Sequence, residues 1–162
     1  MRTNGASLEE LEALYRARFE SFARVATAIC RDPEAGRDSV QSAFVAAVRN
    51  RGSFRGESTL EAWAWQIVVN EARHAATRRA TASLDEIAEP ATNGEPHDDP
   101  LGVRRFVAAL PPRQREVIFL RYFADLDYAT IAHVLGLALG TVSATLSAAH
   151  HTLRARLEAS PR

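Results

Sequence analysis

The chain has 162 residues, a formal net charge of zero and a hydrophobic share of 46%, a size that fits one large compact domain or two small ones. Its single cysteine, Cys30, excludes an intramolecular disulfide and a cysteine-based zinc cluster. No uncharged apolar run approaches the roughly 20 residues needed to span a bilayer, and the N-terminal MRTNGASLEELEALY has no apolar signal core, which predicts a soluble, cytoplasmic chain without membrane insertion.

Charge is distributed unevenly. Residues 1–80 carry twelve Arg against ten acids, residues 81–100 carry six acids and no Arg, and residues 101–162 carry eight Arg against four acids; there is no Lys. Two mildly basic lobes flank an acidic connector, so any affinity for nucleic acid must come from local patches.

Ser7-Leu8-Glu9-Glu10 has capping-box spacing, and Leu8, Leu11, Leu14, Tyr15, Phe19, Phe22, Val25, Ala26 and Ile29 then recur at helical intervals, predicting one long amphipathic helix that buries Cys30 as an inert thiol. Asp32-Pro33-Glu34 supplies an N-cap, a proline at the first helical position and an acid against the dipole. The helix it opens carries Val40, Phe44, Ala47 and Val48 inward and ends near Asn50. Two glycines make Arg51–Glu57 a loop, and Ser58-Thr59-Leu60-Glu61 has the spacing of a second capping box. A third helix carries Leu60, Trp63, Ala64, Ile67, Val68 and Ala72 on one stripe and finishes in Arg73, His74, Arg78 and Arg79. Trp63 falls on the core stripe. Trp65 falls off it and packs on the first helix, faces a partner or stacks on a base, with packing the preferred reading.

Residues 81–100, TASLDEIAEPATNGEPHDDP, are rich in acids and turn formers and show no sustained period, predicting a flexible linker. Asp99-Pro100 can cap a helix through Val103, Phe106, Val107 and Leu110, which Pro111-Pro112 stops or bends; another helix follows from Pro112 to about Phe123. Asp127 can cap a short helix with Ile131, Ala132, Val134 and Leu135 inward, and Gly136 ends it as a left-handed cap. After the turn Leu137-Ala138-Leu139, Gly140-Thr141 starts a longer helix with Val142, Leu146, Ala149, Leu153 and Leu157 buried. The pattern short helix, glycine turn, long helix predicts a helix-turn-helix, with Thr141, Ser143, Ala144, Thr145, Ser147 and Ala148 facing outward, although helical hairpins without DNA function share it. β-branched residues fall on helical stripes throughout, so the fold class is all-α.

Nothing in the pattern supports catalysis. His150-His151 is adjacent rather than at ligand spacing, Cys30 has no evident partner, and there is no nucleophile or phosphate-loop motif. No enzyme activity, cofactor or metal is expected.

The run from Leu110 to Leu157, with LPPRQREV, LRY at Leu120–Tyr122, DYATIA and LGLALGTV, resembles region four of bacterial sigma factors of the sigma-70 family, extracytoplasmic-function (ECF) group. The N-terminal half, AICRDPEAGRDSVQSAFVAAV followed by FRGESTLEAWAWQIVVNEAR, is similar to region two of the same group. The resemblance implies two small helical domains, residues 7–80 and 101–158, joined by the acidic linker 81–100. It also implies core RNA polymerase and promoter DNA as partners, transcription initiation as the function, and an anti-sigma factor as a common restraint.

Carried over by position, the resemblance gives Asp38, Gln41 and Phe44 to polymerase binding, with Phe44 mostly structural because it shares a stripe with Val40 and Val48. Phe54, Arg55, Gly56, Glu57 and Ser58 match the loop that receives a base turned out of the minus-ten strand; an aromatic and a close-approaching main chain suit an unstacked base. Ser58 and Glu57 are equally explained as the cap and first-turn acid of the next helix. Asn70, Arg73, His74, Arg78 and Arg79 match the helix that tracks the melted strand, the cations as phosphate ligands or as a solvated helix end. Arg113, Arg121, Thr141, Ser143, Ala144, Thr145, Ser147 and Ala148 fall to the minus-thirty-five element.

The sequence departs from the group at the recognition helix, where Ser143, Thr145, Ala148 and His150 stand in place of the usual Lys or Arg. Each lost phosphate contact removes about 0.9 from the salt slope of log affinity, and hydroxyls read bases less decisively than a bidentate Arg. Arg113, Arg115 and Arg121 on the preceding helix are candidates to compensate. Arg37 and His74 also depart from the group's usual residues. A second reading is therefore a sigma-like interaction protein that holds polymerase or an anti-sigma partner without reading the upstream element.

Overall fold

A computed structural model describes residues 5–82 and 103–160. It is all-α, with no strand among the described residues: α1 (Leu8–Cys30), α2 (Pro33–Arg49), a 3-10 turn (Arg51–Ser53), α3 (Leu60–Ala82), α4 (Val103–Ala108), α5 (Pro112–Tyr122), α6 (Tyr128–Leu135) and α7 (Leu139–Ala159). The first three helices form one bundle and the last four another.

Several helix starts are set by single side chains. The Glu10 N–H donates to Ser7 Oγ at 3.1 Å, and the Ser7 N–H donates to the Glu10 carboxylate at 2.8 Å, completing the first capping box. Arg31, left-handed at φ 60°, ends α1, and Asp32 at once caps α2 by accepting from the Ala35 N–H at 2.8 Å. This two-residue corner folds α2 back along α1. There Gly36 faces Thr27 so closely that a Cβ would lie 2.4 Å from Thr27 Oγ1.

At α3 the structure corrects the sequence reading. Thr59 rather than Ser58 is the cap, its Oγ1 accepting from the Ala62 N–H at 3.1 Å, and no capping box forms. The helix also runs two residues into the stretch assigned to the linker: no Gly or Pro interrupts Arg78–Ala82, and Thr81 Oγ1 donates to the Thr77 carbonyl. Trp65 packs on the first helix, as preferred, and it rather than Trp63 lies deepest. Trp65 is fully buried, its ring 4.4 Å from Phe22, and Phe22 meets Phe44 edge-on at 5.3 Å. Trp63 is half-buried at the margin, 5.5 Å from Phe54. Because α3 packs on α1 and α2 together, its buried arc is wider than one stripe.

In the second bundle, Leu110, Val117, Leu120, Ile131, Val142, Leu146 and Ala149 close the core. α4 ends at Ala108, two residues before the expected Leu110; the Asp99-Pro100 cap lies outside the described residues. Asp127 Oδ1 accepts from the Thr130 N–H at 2.7 Å, and Gly136 at φ 65° ends α6. α7 starts at Leu139, one residue before the expected Gly140, because the Ala138 carbonyl already accepts from the Thr141 and Val142 N–H groups. The α6 and α7 axes meet at 103°, within the range of helix-turn-helix pairs.

The two bundles pack together, α1 on α5 and α3 on α6. Arg115, nearly buried, donates from Nε to the Ala28 carbonyl at 3.0 Å and from Nη1 to the Ala108 and Leu110 carbonyls. Arg18 reaches the Ala124 carbonyl at 2.8 Å, Gln66 the His133 carbonyl at 3.0 Å, and Arg31 the Ala108 carbonyl.

Candidate interaction surfaces

Three outward faces hold the residues singled out in the sequence. On α2, Asp38 and Gln41 are exposed and, with Ser42, Val45, Ala46, Arg49, Asn50 and Glu71, line an open cleft of about 680 Å³. Phe44 is buried between Tyr15 and Phe22, so its part is structural. Val45, which the sequence reading does not single out, is 51% exposed beside Gln41. Its spacing of seven from Asp38 and four from Gln41 puts the three on one helix face, a signal the sequence did contain.

The second face combines the loop before α3 with the outer side of that helix. Gly56 takes φ 70°, a conformation that favours glycine, and Arg55, Gly56 and Glu57 are exposed. Phe54 is half-buried on Trp63, and Ser58 Oγ donates to the Thr59 carbonyl at 3.3 Å. Along α3, Asn70, His74 and Arg78 are exposed at intervals of four and share one face. Arg79 is exposed but lies 3.4 Å from the Asp32 carboxylate. Arg73 is the exception among these cations: its Nε and Nη2 donate to Glu116 Oε1 and Oε2 at 3.0 and 2.8 Å, a two-pronged ion pair to α5. Bonding to Glu116 raises the guanidinium pKa above its ordinary value.

The third face is α7. Thr141, Ser143, Ala144, Ser147 and Ala148 are exposed, whereas Thr145 is half-buried with its hydroxyl turned back to the Thr141 carbonyl at 2.7 Å. His150 Nε2 lies 2.8 Å from the Tyr122 hydroxyl. The arginines expected to compensate are engaged elsewhere. Arg115 is buried, and its desolvation lowers its pKa. Arg113 lies 3.6 Å from Glu116, and Arg121 lies between the Tyr122 and Tyr128 rings while donating to the Leu126 carbonyl. No group of three or more His, Cys, Asp or Glu converges among the described residues.

An open polar cleft, an exposed glycine-bearing loop and a basic helix end on one bundle, and a helix-turn-helix on the other, are the parts a sigma-70-type initiation factor would need. Comparison with known proteins agrees. The family description Sigma-70 region 2 matches residues 14–81, and Sigma-70, region 4 matches residues 101–150. The ECF RNA polymerase sigma factor SigM of Mycobacterium tuberculosis is 30% identical over 149 residues, covering 90% of this chain and 74% of that protein. The sigma factor YlaC of Bacillus subtilis is 27% identical, covering 93% and 90%. Among solved structures, the sigma factor RpoE from Bartonella quintana, crystallised with the anti-sigma factor NepR, superimposes with a TM-score of 0.76 at 22% identity over 95% of this chain and 100% of that one. The chain belongs to the ECF group of RNA polymerase sigma factors, which act in promoter recognition and transcription initiation. No single helix among the described residues is long and apolar enough to cross a membrane.

Proposed function

We propose that this chain binds core RNA polymerase through the outer face of α2, with Asp38, Gln41 and the exposed Val45 as contacts, and directs it to promoters in the cytoplasm without catalysis of its own. In this reading residues 7–80 form the polymerase-binding and minus-ten unit, residues 101–158 the minus-thirty-five unit, and residues 81–100 connect them. The observation that carries it is the open cleft that the exposed Asp38, Gln41 and Val45 of α2 form with Glu71 of α3. An unstacked base would enter at Phe54–Ser58, while Asn70, His74, Arg78 and Arg79 follow the strand, together with Arg73 once it is released from Glu116. α7 would dock on the upstream element through Thr141, Ser143, Ala144, Ser147 and Ala148, with Arg113 and Arg121 at its flank. An anti-sigma partner fits the likeness to RpoE, which was solved with NepR.

Run-off transcription with core polymerase and matched promoter DNA tests the proposal. Initiation that depends on this chain and falls with Asp38→Ala or Gln41→Ala is the expected result; no initiation at permissive salt sinks it. The uncharged α7 face and the engagement of Arg113, Arg115 and Arg121 favour a second reading, a polymerase-binding protein with no upstream readout. A cross-linking footprint with specific contacts upstream would eliminate that alternative.

A further inference from the structure

Arg73 belongs to two surfaces at once. On α3 it follows Gln66 by seven residues and Asn70 by three, so the three share a helix face. Gln66 and Arg73 both reach across to the second bundle, and the exposed Asn70 stands between them. The face expected to track a melted strand is thus bordered at both ends by α5 and α6. Glu116 is well suited to hold Arg73: its side chain is only 9% exposed, and both its oxygens accept from the guanidinium, with Arg113 as a more distant second cation.

We infer that Arg73 is a two-position latch. Paired with Glu116 it holds the bundles closed; released, it is available to a nucleic-acid phosphate. The inference rests on the proposed role of α3 in strand binding. Glu116 takes the Nε–Nη2 edge of the guanidinium, and its carboxylate repels any phosphate approaching the remaining Nη donors, so domain closure and strand binding compete. Linkage makes the competition reciprocal: whatever strand binding does to closure, closure does to strand affinity by the same factor. The pair is only partly shielded, Arg73 being 32% exposed, so salt weakens it as well.

The test uses the full chain with spin labels on Ala13→Cys in α1 and Ala155→Cys in α7, both exposed positions; buried Cys30 stays unlabelled under native conditions. Distance distributions and binding of a short single-stranded oligothymidylate are measured for the labelled parent, Glu116→Gln, Arg73→Gln and the double variant. In the parent, the oligonucleotide is expected to move population from the closed to a longer distance, a result that is read without any substitution at the ion pair. Glu116→Gln is expected to lower the closed-to-open ratio about tenfold or more, in line with a charge-assisted bidentate pair, and to tighten oligonucleotide binding. Arg73→Gln should open the chain equally, add nothing to opening in the Glu116→Gln background, and weaken oligonucleotide binding in both backgrounds. Circular dichroism at the parent's helicity establishes that the variants fold. An unchanged distance distribution in folded Glu116→Gln, or additive opening by the two substitutions, overturns the latch. Opening without any change in oligonucleotide affinity overturns the competition. Failure of run-off transcription with these distance shifts intact would instead remove the promoter-directing role and leave the latch standing.

Discussion

Replacing Gly36 by alanine should destabilise this protein even though alanine is the better helix former. A Cβ at Gly36 would sit 2.4 Å from Thr27 Oγ1, 2.7 Å from Thr27 N and 2.8 Å from Thr27 Cα. Two of these atoms are main chain, so a new rotamer at Thr27 removes only the shortest clash. Reaching ordinary contact then requires α1 and α2 to part by roughly 1 Å along a seam that includes Ala23, Ala26 and Ala43, and overpacking of this kind costs about 1–3 kcal/mol. The upper end applies because a helix must yield rather than a side chain. Alanine's helix preference offsets about 1 kcal/mol, leaving a net loss of about 2 kcal/mol. For a chain of this size that lowers the thermal midpoint by roughly 4–8 °C. Gly140 is the control: it also lies in a helix, but nothing approaches within 4 Å of its Cβ position, so Gly140→Ala should stabilise by about 0.5 kcal/mol. Thermal and urea unfolding followed by circular dichroism measures both. A second substitution, Thr27→Ala, should recover less than half of the Gly36→Ala loss. If Gly36→Ala melts at or above the parent, the helix seam is not closed in the way described. On the proposed reading, in which Asp38 and Gln41 of the same helix contact polymerase, Gly36→Ala should also weaken polymerase binding.

Three further outcomes follow from the helix caps, the recognition helix and the buried thiol. Hydrogen bonding to Thr130 holds the Asp127 carboxyl below the ordinary aspartate pKa, so its stabilisation is complete at neutral pH and is lost as pH falls from about 3.9 through the lower folded value. Asp127→Ala should lower the midpoint at neutral pH, whereas Asp127→Asn should keep the cap and lose this acid dependence; equal loss in both would show that the charge, not the cap, matters. Ser143→Arg and Ala148→Arg place cations on the exposed face of α7, and each should add up to about 0.9 to the salt slope of promoter binding by the holoenzyme; unchanged slopes would mean that this face does not meet DNA. Burial pushes the Cys30 thiol above its ordinary pKa despite its contact with Ser39, so native protein should react with a disulfide reagent only as fast as the N-terminal bundle opens. Rapid stoichiometric labelling without denaturant would contradict that burial.

What the sequence disclosed depended on how local the cause was. Ser7, Asp32 and Asp127 each bond to a main-chain group three residues on, so spacing alone placed three helix starts. At Ser58-Thr59 two adjacent hydroxyls compete, and only side-chain geometry selects Thr59. Periodicity puts Trp63 on the core stripe and Trp65 off it, yet Trp65 is the more deeply buried, because α3 meets α1, α2 and α6 rather than one neighbour. From sequence alone Arg73 is a phosphate ligand or part of a solvated helix end, and Arg115 a candidate to compensate for the neutral recognition helix. Their partners, Glu116 and the Ala28 carbonyl, lie 43 and 87 residues away in the chain, beyond the reach of any periodicity. All-α architecture and the helix-turn-helix rest on short-range patterns; the closed packing of the two bundles does not.

The uncharged recognition helix has an energetic consequence on the proposed reading. In a holoenzyme α7 does not search for DNA alone, because the α2 contacts hold it near the template, and a tethered module works at an effective concentration far above its free one. Phosphate contacts strengthen binding to every duplex by the same sequence-independent amount. An α7 face of hydroxyls and small side chains therefore gives up affinity that would be shared by all sites and keeps the smaller part that differs between them. Ser143→Arg should accordingly raise affinity for random duplex by as large a factor as for the cognate upstream element, leaving their ratio unchanged. A competition assay between the two duplexes decides this: a rise in the ratio would mean that position 143 reads a base, and that the helix is limited by lost recognition as well as lost charge.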